Sequence, residues 1–362
     1  MDFGFTSADT AQERAPSPLG ALARQLVRVE KENLQIIRSL RTAAISTALP
    51  LTAWALGIPD AMIPLGVGAL FVGISESNIH PGRRGRIMLW ATAWLMATSA
   101  LGFLVAPNPF LVVALSACVA ALSGWVGVAG PRAGVVGVLS LVLFTITVGL
   151  PETIGVSASF VGFVGLGGLV QTALFLLINR ARPHTASPLP AREPSSLWFR
   201  LRNPGPRRDT YVRHTLSVTI AIVVATVIAQ FVDVPHEYWI PMTVAWIFKP
   251  DQKATAIRVA ERVVGTLGAI GLAFLWGTYL PAPAGVLFVL CGAGAYFVLA
   301  FLASNYSIAT FGVTTFVLAL FAIAGDLYEQ TVIFRLEATL AAGAIVVVVV
   351  FMVWGTQSKW RS

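Results

Sequence analysis

From Ile154 to Ile178 the chain carries no charged residue, and a run of that length can cross a bilayer as a helix. About twelve such apolar stretches follow one another, judged against roughly 20 residues per spanning helix. They lie near 41–57, 61–78, 86–106, 109–129, 133–150, 154–178, 212–232, 237–249, 257–279, 284–303, 307–325 and 329–354. Inside hydrocarbon each backbone N–H and C=O must find a partner within its own segment, so runs of this kind become helices. The expected fold is therefore all-α and integral to the membrane, with about twelve transmembrane helices. Composition agrees: 56% of residues are hydrophobic and 12% charged, with a mean hydropathy of +0.77. A soluble domain carries about a quarter charged residues. The first 40 residues are charged and lack a short apolar core with a small-residue cleavage site, so the first span is expected to act as the insertion signal.

Lys and Arg set the orientation. With the N-terminus in the cytoplasm, the outer loops carry Asp60, Glu152, Asp233, Glu237, Asp326 and Glu329 and no basic residue. The inner segments carry Arg24, Arg28, Lys31, Arg38, Arg41, Arg83, Arg84, Arg86, Arg132, Arg180, Arg182, Arg207, Arg208, Arg213, Lys249, Lys253, Lys359 and Arg361. Both termini are thus expected in the cytoplasm of a multi-pass cell-membrane protein. The net charge of +8 reads as juxtamembrane anchors, which removes a nucleic-acid partner from consideration.

The eighth apolar stretch is short and broken by Pro235, Pro241 and Pro250, so a half-span or broken helix is expected there. It has an upstream echo: Ile63-Pro64 stands to Ile240-Pro241 at the same separation as Phe71 to Phe248. The stretches 131–149 and 306–324 also align, with Gly137 over Gly312. The chain then divides into a cytoplasmic segment 1–40 holding an amphipathic helix over 19–40, a first repeat of six helices (41–178), a Pro- and Arg-dense cytoplasmic linker (179–211), a second repeat (212–354) and a tail (355–362). An even number of spans per half gives parallel repeats, and paired broken segments point to a transporter's binding site.

No nucleophile elbow, phosphate-cradling loop or useful His/Asp spacing is present, so no catalytic residue, enzyme activity, metal or cofactor is expected. Cys118 and Cys291 lie inside apolar runs and read as small hydrophobes.

Tyr238-Trp239-x-Pro241-x-Thr243, then Pro250, Thr255, Arg258, Arg262, Gly265-Thr266 and Gly268 resemble the signature of the fusaric acid resistance protein-like family, which stands with the aromatic acid exporters and, more distantly, the plant aluminium-activated malate transporters. The resemblance implies transport of small, often aromatic, organic acids. Larger members carry a sizeable cytoplasmic domain after each half, where this sequence has only a linker and a tail. Ala61-Met62 stand where the second half has Tyr238-Trp239, which suggests that the two halves do different jobs.

Arg258 and Arg262 are four apart and share a helix face, with Thr266 one turn deeper. That face could receive a carboxylate, or the arginines could snorkel to the interface as anchors. Arg83, Arg84 and Arg86 are the first-half counterparts, read chiefly as anchors. Lys249, closing the broken segment, is open between the two roles. Tyr238 and Trp239 read either as an aromatic belt or as a stacking platform or outer gate. Arg335 lies about two turns inside the last span, where a charge is costly and usually paired. Asp326, Glu329 and Glu337 are its candidate partners, and Glu337 is also the candidate for proton coupling. Glu76 and Asn305 near cytoplasmic ends read as solvated. The function expected is efflux of small aromatic or other organic anions. The alternatives are an anion channel or a non-transporting scaffold, with a second copy or an envelope protein as a further partner.

Overall fold

A computed structural model of the chain describes residues 26, 28–76, 81–150, 153–180, 196–203, 205, 208–234, 236–278, 283–325 and 329–355. Helices form where the apolar runs stand. We number them α1 (Ile36–Ala55), α2 (Met62–Ser75), α3 (Pro81–Val105), α4 (Pro109–Val126), α5 (Pro131–Val148), α6 (Ile154–Arg180), α7 (Arg208–Ala229), α8 (Trp239–Ile247), α9 (Gln252–Thr278), α10 (Ala284–Phe301), α11 (Tyr306–Ala324) and α12 (Glu329–Trp354), with a short helix Leu197–Arg202 before α7. Among the described residues nine of these are long and apolar enough to cross a membrane, which makes this a multi-pass membrane protein. The other three are α1, which opens on Arg38 and Arg41, and α2 and α8, of 14 and 9 residues. The sequence marked only the eighth segment as short. The second is cut off at Glu76, where the chain turns extended.

Within the first six helices α2 packs on α6, α3 on α5 and α6, and α4 on α5. Six helices further on, α8 packs on α12, α9 on α11 and α12, and α10 on α11. Across the two sets α4 lies on α7 and α1 on α10. Small residues permit the closest crossings, as expected where lipid gives helices no hydrophobic reason to associate. A Cβ on Gly68 would strike the Val164 carbonyl, one on Gly167 the Leu65 carbonyl, and one on Gly265 the Ser307 carbonyl.

One end of the bundle holds the starts of α1, α3, α9 and α11 and the ends of α2 and α8. The predicted helix over 19–40 is corrected at this end. Leu19 and Leu22 lie outside the described residues, and residues 28–35 are non-helical except for a single turn, Lys31–Asn33. The helix is pre-empted by other bonding. The Asn305 amide donates to the carbonyls of Leu26 (2.9 Å) and Arg28 (3.0 Å), and Ser304 Oγ donates to that of Glu30 (3.0 Å). Asn305, read as solvated, is 4% exposed. Its Oδ1 also accepts from Ile308 N and caps α11. In the linker, Leu197, Trp198 and Phe199 are exposed, and Arg200 holds the Ala129 carbonyl at 2.5 Å.

Glu76 departs most from the sequence reading. Its side chain is 2% exposed and pairs with Arg41, with Arg38 at 3.5 Å and with Arg84 at 3.7 Å. Arg38 also donates to the carbonyls of Gly73 (2.9 Å) and Ile74 (3.3 Å), capping the short α2. The carboxylate is buried because three guanidiniums surround it where α1, α2 and α3 converge.

Candidate functional site

The second short helix ends in the same fashion. Its Trp246 carbonyl accepts from Arg258 Nη1 at 3.3 Å and from the Tyr306 hydroxyl at 3.2 Å. The Arg258 guanidinium lies 3.8 Å from the Tyr306 ring centroid. The turn between α8 and α9 is locked by Thr255, whose Oγ1 accepts from Lys249 N (3.1 Å) and donates to the carbonyls of Lys249 (3.0 Å) and Asp251 (2.9 Å). Asp251 caps α9 through Ala254 N at 2.8 Å. This turn brings Lys249 and Arg258 to one end of the bundle, where Glu261 is their electrostatic neighbour.

Deeper in, α9 carries Arg262 and Thr266 one turn apart. Arg262 is 1% exposed and Thr266 fully buried. Arg262 stands ten residues into α9, hence about 15 Å along the axis from the helix start and one turn beyond Arg258. From α12, Arg335 is 2% exposed and lies over the Trp239 ring at 5.0 Å. Its electrostatic neighbours include Arg262, Tyr238 and Tyr306. The ion pairs among the described residues converge on Glu76, in the other half. Nε and Nη2 of Arg262 and Nε and Nη1 of Arg335 are buried without a hydrogen-bond partner. So are the hydroxyls of Thr243 on α8, Thr266 on α9, and Ser307, Thr310 and Thr314 on α11. Buried polar groups are normally satisfied, and a charge at this depth is normally paired. Two guanidiniums and five hydroxyls left open among four packed helices form an interior that favours an anion.

Aromatic side chains close the opposite end. Trp239, 1% exposed, stacks on Phe334 (6.4 Å, 16°) and on His236 (4.8 Å, 19°), while His236 also meets Phe321 at 4.7 Å. His236 sits at φ +64°, in the left-handed region that a non-glycine residue adopts only when its surroundings hold it there. Tyr238 bonds His236 Nδ1 through its hydroxyl (3.2 Å) and packs on Gly149. Tyr238 and Trp239 therefore face the interior, and the aromatic-belt alternative is corrected. Beside them a cleft of about 210 Å³ opens among Ala106, Thr145, Gln230, Glu237, Tyr238 and Pro241.

Trp239 and Arg335 thus stand toward one end of the second half and Arg258 and Lys249 at the other, with Thr266 and Arg262 between them on α9. It does not bring the first-half arginines to a like place. Arg84 pairs with Glu76, Arg86 is exposed, and the side chain of Arg83 lies outside the described residues. Of the partners suggested for Arg335, Glu337 is exposed two residues along α12 and so points elsewhere. That geometry also separates it from the interior as a proton site. Asp326 and the Glu329 side chain lie outside the described residues. Sequence reasoning missed Ser307, Thr310, Thr314, Tyr306 and the His236–Trp239–Phe334 stack, and it named Thr243 only as part of the motif. The hydroxyls at 307, 310 and 314 recur at helical spacing on one face, a signal that was available.

Residues 223–349, which contain this interior, match the family described as Fusaric acid resistance protein-like. The Inner membrane protein YccS of Escherichia coli (strain K12) is 31% identical over 162 residues, 44% of this chain and 22% of that protein. The Uncharacterized protein slr1298 of Synechocystis sp. is 31% identical over 163 residues, 43% of this chain and 20% of its own length. The match therefore spans about a fifth of these relatives. No solved structure matches the chain. The likeness to the fusaric acid resistance protein-like family thus lies in residues 223–349, within the second half of the chain.

Proposed function

We propose that this protein is a cell-membrane transporter that exports small aromatic or other organic anions through the second half of the helix bundle. The observation that carries the reading is the pair of buried arginines, Arg262 and Arg335, with open donors and no ion-pair partner among the described residues. A carboxylate would take the guanidiniums in bidentate fashion, and an aromatic ring would stack in the Trp239–Phe334 layer. Lys249 and Arg258 form the entry on the side read as cytoplasmic. We further read the chain as two like-oriented halves of six helices with both termini inside. The matched helix pairings support that reading. The first half, with its arginines spent on Glu76, serves as the frame.

A carrier is favoured over a channel by one observation. The interior is shut at both ends, by His236, Trp239 and Phe321 on one side and by the Arg258–Tyr306–Trp246 contacts on the other. The test is flux of labelled benzoate from proteoliposomes, wild type against Arg262→Ala. Loss of flux in a variant that still folds supports the reading. A variant that moves benzoate as fast as wild type removes it.

A further inference from the structure

We infer that the interior between Arg262 and Arg335 also binds a small inorganic anion of halide size, and that transport therefore runs as the exchange of one anion for another. This rests on the transport reading above and adds its second ligand. The argument begins with charge. Arg262 is buried on α9 and Arg335 lies within its electrostatic reach, so two like charges share a dry interior. Such a pair is stable only with a counter-charge. The first half supplies its own, since Glu76 neutralises part of the Arg38, Arg41 and Arg84 cluster. In the second half Glu261 neighbours Arg258 and Lys249 at the entrance, and among the described residues no carboxylate pairs with the deeper two arginines, a place that an ion from outside the chain can take.

Size follows from packing. Arg262 is 1% exposed, Thr243, Thr266, Thr310 and Thr314 are fully buried, and Trp239 is 1% exposed. Gly265 against Ser307 and Thr310 brings α9 and α11 to backbone contact. This closed arrangement suits a monatomic or similarly small anion, held by guanidinium N–H groups and by the hydroxyls of Thr266, Thr310 and Thr314. A ring-bearing acid requires the Trp239 layer to open. An anion released from between the two arginines leaves both buried charges without a counter-charge, so outward movement of one anion is tied to inward movement of another.

The experiment uses the purified full chain. Thermal unfolding is followed in sodium chloride, bromide and gluconate at equal ionic strength, for wild type and for the near-isosteric Thr310→Val/Thr314→Val variant. Halides are expected to raise the midpoint saturably in wild type. The double variant should need upwards of about a hundredfold more halide for the same rise, the loss expected for two hydrogen bonds to a charged group. Iodide should quench a fluorescence component that Trp239→Phe removes. In proteoliposomes, benzoate efflux should be fast into chloride and slow into gluconate, with labelled chloride entering only when benzoate is inside. Equal midpoints in halide and gluconate, or an unchanged halide response in the double variant, overturn the site. Equal benzoate efflux into both media overturns exchange and leaves the transport reading standing. Halide stabilisation without benzoate flux in either medium does the reverse: it supports the anion site and removes the organic-acid reading.

Discussion

Replacing Glu76 by glutamine removes one negative charge from the point where α1, α2 and α3 meet, while keeping the side chain's shape. The carboxylate is 2% exposed and the three arginine side chains around it are 17–25% exposed, so solvent screens the cluster only in part. Breaking a buried ion pair by removing one partner costs about 3–5 kcal/mol. Because the arginines keep some access to water at the bundle's end, the lower figure of about 3 kcal/mol is the appropriate estimate. With about 2.1 cal/mol/K of unfolding entropy per residue over 362 residues, each kcal/mol moves the midpoint by about 1.3 °C, so it should fall by about 4 °C. Arg41→Leu should fall by much less, since Arg38 and Arg84 still neutralise Glu76. The assay is thermal unfolding of detergent-purified protein, followed by circular dichroism. A Glu76→Gln midpoint within a degree of wild type would refute the reasoning and return Glu76 to the solvated carboxylate that its sequence position suggested.

Gly265→Leu should wedge α9 from α11, because even a Cβ meets the Ser307 carbonyl and Thr310. A cost of about 1–3 kcal/mol is expected, whereas Gly271→Ala, with nothing within 4 Å, should leave the midpoint unchanged. Asn305→Ala removes the amide that holds residues 26–28 and should raise amide exchange and proteolytic cleavage there, read by mass spectrometry; unchanged protection would sink the idea. In folded protein a membrane-permeant maleimide should label exposed Cys118 and spare buried Cys291, and both should react after denaturation.

The apolar runs fall on helices among the described residues, nine of them long and apolar enough to cross a membrane, because length and hydrophobicity decide where a chain must close its backbone hydrogen bonds in lipid. Burial inside the bundle was less legible. Trp239 at a membrane boundary has the same sequence signature whether it faces lipid or Phe334, and only helix rotation separates the two. Glu76 and Asn305 were misread for a related reason. Position near a helix end predicts solvation only when no other element covers that end, and here α3 supplies Arg84 while the N-terminal segment supplies the carbonyls of Leu26 and Arg28.

Arg262 and Glu76 stand in different charge environments although the helices around them pair alike. Each half has a proline-bearing short helix whose last carbonyls are capped by an arginine, Arg38 on Gly73 and Ile74, Arg258 on Trp246. A helix that stops inside the membrane leaves open carbonyls, and an arginine donor satisfies them at the cost of bringing in a positive charge. The first half cancels that charge with Glu76. The second half adds Arg262 and Arg335 with no carboxylate paired to either among the described residues. The same structural need is met with a counter-ion in one place and without one in the other, and under the proposed function the place without a paired carboxylate is the one a substrate anion fills.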